Sequence, residues 1–360
     1  MTRIRDLAIQ HDIPSIHHWL ASQLKVAASD LQVESIVGGR SNVTSRVIVD
    51  GIVRGVLREP PPGDLKVTAH DLEREYRLLT VLVPSDIPVP APVAIRRAPI
   101  GGVSYLMAYI EGTTLSDASQ LRTWHNGGNL VRALSSSAET LGLLHSLPSD
   151  RFEVTGRSRL GGYIERQLRR WFTQWSGIHD PTEPSVPFLY KRLLEERPPN
   201  GPEGPIHGDY HFGNLILRPD GKLAAVVDWE LATTGTAMAD LCTYLAYLDR
   251  DLWQWRLSDQ THTNSDLDEV FHILQAYGLP VDSRSLGYYL AWAHWRLTCI
   301  GEGILDREDG DVGAGDEPKT ATLIAAVERH ALAARRLLET DLSSELTKCV
   351  EAVRPVRVQG

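Results

Sequence analysis

The sequence predicts an α+β protein in two parts, a β-rich N-terminal segment and a larger, mainly helical remainder. Three observations lead there. Residues 33–58 alternate apolar and polar at the period of strands, and they contain Asp50-Gly51, a strong two-residue hairpin signal. Ala91–Ile95 and Val103–Ile110 read as two further strands, which makes a small sheet of five. After Glu111-Gly112 the apolar residues recur mostly at helical spacing. The expected boundary falls near residue 111, giving lobes of 1–110 and 111–360.

Composition sets the outer limits. The chain has 360 residues, is 42% hydrophobic and 23% charged, and so has the makings of a folded protein with a sizeable core. A net charge of -9 argues against nucleic acid or an anionic membrane as partner, since both need a basic face. No run of 18 apolar residues predicts a membrane span. Asp6, His11 and Asp12 stand where a signal peptide would be apolar. Cys242, Cys299 and Cys349 are odd in number and far apart, and read as reduced thiols of a cytoplasmic protein.

Taken in order, residues 12–27 form an amphipathic packing helix, with Asp12 as N-cap and Pro14 in its first turn. Strand 33–37 and the hairpin 43–49/52–58 flank Gly38-Gly39-Arg40-Ser41-Asn42. Glycines there let the backbone approach a ligand, and Ser41 and Asn42 can donate to phosphate oxygens; an ordinary hairpin loop is the alternative. In helix 69–82, Ala69, Leu72, Tyr76, Leu79 and Leu82 share a face that includes Glu75. A carboxylate there is costly unless paired, so Glu75 either has a cationic partner or snorkels from the edge. Further helices are expected at 134–147, 160–175, 266–277, 284–300 and 319–339. His145 reads as a core histidine, and Arg166, Arg169 and Arg170 as a solvated face. Residues 176–205, with seven prolines, read as a long connector. Asp306–Glu317 is acidic and Gly-rich and reads as a surface loop; Gly310 and Asp311 spoil an EF-hand pattern.

The chain is organised around Ile206-His207-Gly208-Asp209-Tyr210-His211-Phe212-Gly213-Asn214. Asp209 sits five residues before Asn214, and Asp228 follows the apolar run Leu223–Val227. Asp220-Gly221 between them signals a tight hairpin. Phosphoryl transfer needs this grouping: a carboxylate to orient and deprotonate a hydroxyl, and an amide oxygen plus a second carboxylate to hold magnesium on phosphates.

His-Gly-Asp-x-x-x-x-Asn followed by Val227-Asp228-Trp229-Glu230 resembles the aminoglycoside phosphotransferase and choline kinase family, relatives of protein kinases. Leu57-Arg58-Glu59-Pro60-Pro61-Pro62-Gly63 is similar in particular to the phosphotransferase domains fused to acyl-CoA dehydrogenases. The resemblance implies a protein-kinase-like fold, with a five-stranded antiparallel sheet and one or two helices in the small lobe. It implies an ATP- and Mg2+-dependent O-phosphotransferase acting on a small hydroxylated molecule, with the nucleotide held between lobes. Gly39, Ser41 and Asn42 would cover the phosphates. Arg58 would replace the usual lysine, paired to Glu75, with Lys66 as competing candidate. Met107, Tyr109 and Ile110 would meet adenine. Asp209 would act on the acceptor hydroxyl, Asn214 and Asp228 would hold the metal, and His207 and Asp240 would support the loop. Glu230, Trp292, Trp295 and Arg296 are acceptor-side candidates, with core packing the other reading of the aromatics. The chain departs from the family at Gly235-Thr236-Ala237, where Gly-Asp-Pro is usual.

The dehydrogenase-associated branch points to a metabolic hydroxy acid or hydroxyacyl acceptor. An aminoglycoside kinase and an ATP-binding pseudokinase with a regulatory role are the alternatives. A protein kinase lacks support because no Ala-Pro-Glu segment follows Asp228. Oligomeric state stays open.

Overall fold

The computed structural model describes residues 13–36, 42–61, 65–97, 102–116, 118–156, 161–199, 203–310 and 317–353. It separates into two compact units. One runs to Gly112 and also takes in Asp150–Gly156 and Ala224–Leu231; the other comprises Thr113–Ser149, Arg157–Leu223 and the chain from Ala232 onward.

The first unit is built on β1 (Leu31–Ser35), β2 (Val43–Val49), β3 (Ile52–Glu59), β4 (Pro92–Arg97) and β5 (Val103–Met107), in spatial order β1-β2-β3-β5-β4 and antiparallel throughout. The β2–β3 turn is Asp50-Gly51, both residues at positive φ (52° and 76°), the combination a tight hairpin turn requires. Preceding β1, helix α1 (Ile13–Leu24) buries Ile16 and Leu20 against Leu31, Val47, Leu57 and Leu106. Helix α2 (Leu65–Leu82) packs on β5 through a face that includes buried Leu72, Leu78 and Leu79.

The second unit is helical: α3 (Ala118–Asn126), α4 (Leu130–Ser146), α5 (Tyr163–Trp175), α6 (Val186–Glu195), and, beyond the central loop, α7 (Ala237–Asp251), α8 (Arg256–Asp259), α9 (Asn264–Tyr277), α10 (Ser283–Gly310), α11 (Glu317–Glu339) and α12 (Ser344–Ala352). Helix α10 is its hub, packing on α5, α6, α7 and α11. Helix α4 lies so close to α9 that a Cβ on Gly142 would fall 2.0 Å from the Tyr277 carbonyl oxygen. Two small sheets frame the central loop. β6 (Glu203–Ile206) pairs antiparallel with β9 (Thr233–Thr236), and β7 (Leu215–Leu217) with β8 (Leu223–Val226).

The α+β class and the five-stranded sheet agree with the sequence reading. Two expectations need correction. The proline-rich connector 176–205 contains α6, because Pro187 stands in the first turn, where its missing N–H costs nothing, and Val186, Leu189 and Leu193 are buried. The acidic stretch starting at Asp306 is not a loop from its outset, since α10 runs on to Gly310. The three cysteines are free thiols. Among the described residues no helix is long and apolar enough to cross a membrane.

Candidate active site

The central loop belongs to the second unit. Its backbone leaves β6 at Ile206 and turns at Gly208 (φ 85°). Asp240, in the first turn of α7 and 1% exposed, accepts hydrogen bonds from the backbone N–H groups of His207 (2.6 Å) and Gly208 (2.8 Å). Two buried donors at the apex of the loop are thereby satisfied by one carboxylate. Fully buried His207 accepts from Asp209 N through Nδ1 (3.2 Å), which sets the direction of the next residue.

The side chain of Asp209 is held on both oxygens. Oδ1 lies 3.3 Å from Arg296 Nη2, and Oδ2 lies 3.3 Å from His211 Nε2 and 3.4 Å from Asn214 Nδ2. His211 caps the short helical turn Phe212–Asn214, its Nδ1 accepting from Gly213 N at 3.1 Å. With Nδ1 accepting from Gly213 N, Nε2 is the ring nitrogen that donates to Asp209. The ring stacks on Tyr247 of α7 with centroids 4.2 Å apart. Gly213 is required here, because a Cβ would come within 2.6 Å of the His211 ring. Burial alone would raise the pKa of Asp209, but His211, Arg296 and His207 together outweigh it and hold the carboxyl well below the usual range. Asn214 also donates to the Asp209 carbonyl (3.0 Å), which leaves its Oδ1 available to a further partner.

The first unit contains a second constellation. Arg58, at the end of β3 and 8% exposed, donates through Nη1 to Thr44 Oγ1 (2.9 Å) and through Nη2 to Glu75 Oε2 (3.3 Å) and Asp228 Oδ1 (3.2 Å). Antiparallel register sets Arg58 opposite Thr44, and Glu75 arrives on the buried face of α2. The other Glu75 oxygen accepts from Trp229 N (3.2 Å), so α2 also fixes the residue after Asp228. Burial alone would lower the pKa of Arg58; the fields of Glu75, Tyr105 and Asp228 more than reverse this, and the guanidinium stays charged. Asp228 has φ 65°, a left-handed conformation uncommon for residues other than glycine, and its side chain is 36% exposed. Backbone strain of this kind concentrates where a side chain must be aimed for function.

The structure thus brings together Arg58, Glu75 and Asp228 in one unit, and His207, Asp209, Asn214, Asp240 and Arg296 in the other. It also joins Asn42 to Glu230 (Nδ2 to Oε2, 3.2 Å), and Arg74 donates to the Glu230 carbonyl. Glu230, expected on the acceptor side, is therefore tied to the first unit's own residues. Met107 ends β5, and Tyr109 and Ile110 follow it outside any strand. Gly39 and Ser41 lie outside the described residues, as does the side chain of Lys66. Burial places Trp292 and Trp295 in the helical core instead of on an acceptor surface: they are 1% and 0% exposed, and Trp295 Nε1 donates to Val186 O at 3.2 Å. Arg296 faces the central loop. Sequence reasoning missed His211 and Tyr247. Tyr247 follows Asp240 by seven residues, two helical turns along the same face of α7, a spacing that could have marked it.

Comparison with known proteins accords with this geometry. The model of the phosphotransferase enzyme family matches residues 32–275. The chain belongs to that family. It is 30% identical over 295 residues to acyl-CoA dehydrogenase family member 11 of Gallus gallus, covering 78% of this chain and 37% of that protein. The chain thus spans less than two-fifths of the curated relatives it matches. Among solved structures, a Ralstonia eutropha protein provisionally described as an aminoglycoside phosphotransferase has a TM-score of 0.71 at 21% identity, covering 91% of this chain and 98% of that one. The GDP complex of aminoglycoside 2'-phosphotransferase-IIIa has a TM-score of 0.61 at 16% identity, covering 88% and 98%. At these identities the structural likeness shows the fold, which is protein-kinase-like and two-lobed.

Proposed function

We propose that the chain is an ATP- and magnesium-dependent O-phosphotransferase that moves the γ-phosphoryl group to a hydroxyl of a small metabolic hydroxy acid or hydroxyacyl compound. The observation that carries this reading is the ionised Asp209 carboxylate, fixed on both oxygens five residues before an asparagine whose Oδ1 is available.

Asp209 orients the acceptor hydroxyl and receives its proton late, so positioning matters more than basicity. This fits a carboxylate whose pKa is held down, because a strong base is not needed in a loose transition state. Asn214 Oδ1 and the exposed Asp228 carboxylate are each hard oxygen donors of the kind magnesium takes beside phosphate oxygens, and each would be a ligand for it in this reading. Bound there, the ion would neutralise charge developing on the β- and γ-phosphates. Arg58 keeps Asp228 and Glu75 in register and is the phosphate-side cation of this reading.

Support for the acceptor class comes from the dehydrogenase family member of which this chain matches a part. The aminoglycoside enzymes among the structural neighbours support the second candidate, a cationic amino sugar. The test is ADP release with magnesium-ATP across hydroxy acids, hydroxyacyl thioesters, choline-like alcohols and aminoglycosides, with Asp209→Asn alongside. Release that depends on an acid or thioester and falls about 10²–10⁴-fold in the variant is expected. Nucleotide binding without stimulation by any acceptor would refute the reading and favour a pseudokinase.

A further inference from the structure

Helix α10 delivers one charged group to the central loop. Arg296 is 3% exposed, and its guanidinium is shared among three partners: Nη2 donates to Gly208 O (2.8 Å) and Asp209 Oδ1 (3.3 Å), and Nη1 to Thr243 Oγ1 (3.4 Å). Its carbon lies 5.5 Å from the centre of the Trp171 ring on α5, an arrangement that favours a planar cation. None of this resembles a group waiting for a substrate. The side chain is buried, and its terminal nitrogens are committed to the protein.

Gly208 stands where a protein kinase has the arginine of its His-Arg-Asp loop. The position has no side chain here, and its carbonyl accepts instead from an arginine 88 residues further along the chain. On the opposite side of Asp209, His211 and Asn214 hold Oδ2. A carboxylate gripped on one oxygen resists turning about its bond to Cβ through that contact alone; one gripped on both must give up contacts on two sides to turn. Arg296 therefore closes the second side of a clamp whose first side belongs to the loop itself.

We propose that Arg296 is a positioning residue for phosphoryl transfer, acting through Asp209: it fixes the carboxylate's orientation from α10 and makes no contact with the acceptor. This rests on the phosphotransferase reading above. A lysine could supply the charge but could not span Gly208 O, Asp209 and Thr243 with one planar fork, so partial function is expected of it.

The experiment uses the full chain as wild type, Arg296→Lys, Arg296→Met, Asp209→Asn and the double variant Arg296→Met/Asp209→Asn. Steady-state kinetics are measured with the acceptor found in the panel, and crystal structures are determined for wild type and the two Arg296 single variants. The expected result is a kcat loss of about 10²-fold for Arg296→Met, with KM for ATP and for the acceptor within about threefold of wild type. Arg296→Lys should fall between. In the Asp209→Asn background the further loss should be under about threefold, because a residue acting through Asp209 has nothing left to position. Multiplying losses, or a rise in acceptor KM with kcat intact, would overturn the proposal. If wild type transfers phosphate to no acceptor, the phosphotransferase reading fails by itself. The crystal structures then decide the clamp: a reoriented Asp209 carboxylate in Arg296→Met supports it, and an unmoved one overturns it. The lysine variant guards against misfolding of the methionine variant, since its structure and kinetics are read in the same way.

Discussion

Removing the Arg58 guanidinium is the most informative perturbation of the first unit. Arg58→Met keeps most of the apolar stem but deletes the bonds to Thr44, Glu75 and Asp228. The damage is unequal. Asp228 has a side chain 36% exposed, so water and salt screen its loss, and it contributes little. Glu75 is 3% exposed and would be left with neutral neighbours such as the Trp229 amide and Tyr105. Breaking a buried ion pair on one side costs about 3–5 kcal/mol because the remaining charge is stranded. With only one deeply buried acid orphaned, the low end applies, about 3 kcal/mol, which corresponds to a fall in Tm of roughly 10 °C for a unit of this size. Scanning calorimetry and urea unfolding at pH 7 would measure it. The double variant Arg58→Met/Glu75→Leu removes the stranded charge and should recover about 2 kcal/mol, leaving roughly 1 kcal/mol for the lost hydrogen bond from Trp229 N to Glu75. Arg58→Met within 1 kcal/mol of wild type, or losses that simply add in the double variant, would refute the reasoning.

Three more outcomes are expected. Asp228→Gly relieves a residue at φ 65° while deleting its carboxylate, so calorimetry should find Tm within a few degrees of wild type and titration calorimetry should find magnesium-dependent ADP binding lost; retained metal dependence would count against Asp228 as a ligand. Gly142→Val drives a Cβ against the Tyr277 carbonyl oxygen and should destabilise the second unit by about 2–3 kcal/mol in urea; a loss under 1 kcal/mol would show that α4 and α9 part easily. His330, 3% exposed, has a pKa lowered well below its ordinary value of 6.5, chiefly by burial and secondarily by His294 and Arg250. Below pH 6.5 the unfolded chain then binds a proton that the folded one refuses, so its contribution to stability shrinks as pH falls; Tm measured from pH 7.5 to 5.5 should drop less in His330→Leu than in wild type, and identical slopes would contradict this.

What the sequence made legible was local. Asp209 and Asn214 are five residues apart in one loop, and the roles proposed for them in phosphoryl chemistry were read from little beyond that spacing. Glu75 could be read from periodicity, since a carboxylate inside the apolar face of α2 implied a cation nearby. The hairpins followed from Asp50-Gly51 and Asp220-Gly221. Features that depend on packing between distant elements were not legible. Arg296 read as an acceptor-side residue because nothing in its neighbourhood of tyrosines and tryptophans reveals that α10 meets the central loop. Glu230 read the same way, although Asn42, 188 residues earlier, is its partner. Helix α6 was hidden because proline is a breaker inside a helix yet a favourable residue at its start, and composition alone does not separate the two.

Both carboxylates assigned chemistry are supplied by local motifs, and each is met by an arginine from far along the chain. Asp228 has Arg58, 170 residues earlier, and Asp209 has Arg296, 87 residues later. A net charge of -9 therefore says little about these positions, where each acid carries its own cation. The two pairs differ in a way that matches the roles proposed for them. Asp209 is gripped on both oxygens, as suits a group that must present one orientation to a hydroxyl. Arg58 engages Asp228 on Oδ1, and the side chain is one-third exposed, as suits a ligand that must still accept a metal. A substitution that loosened Asp209 should therefore be read in kcat, and one that tightened the hold on Asp228 should be read in the magnesium requirement.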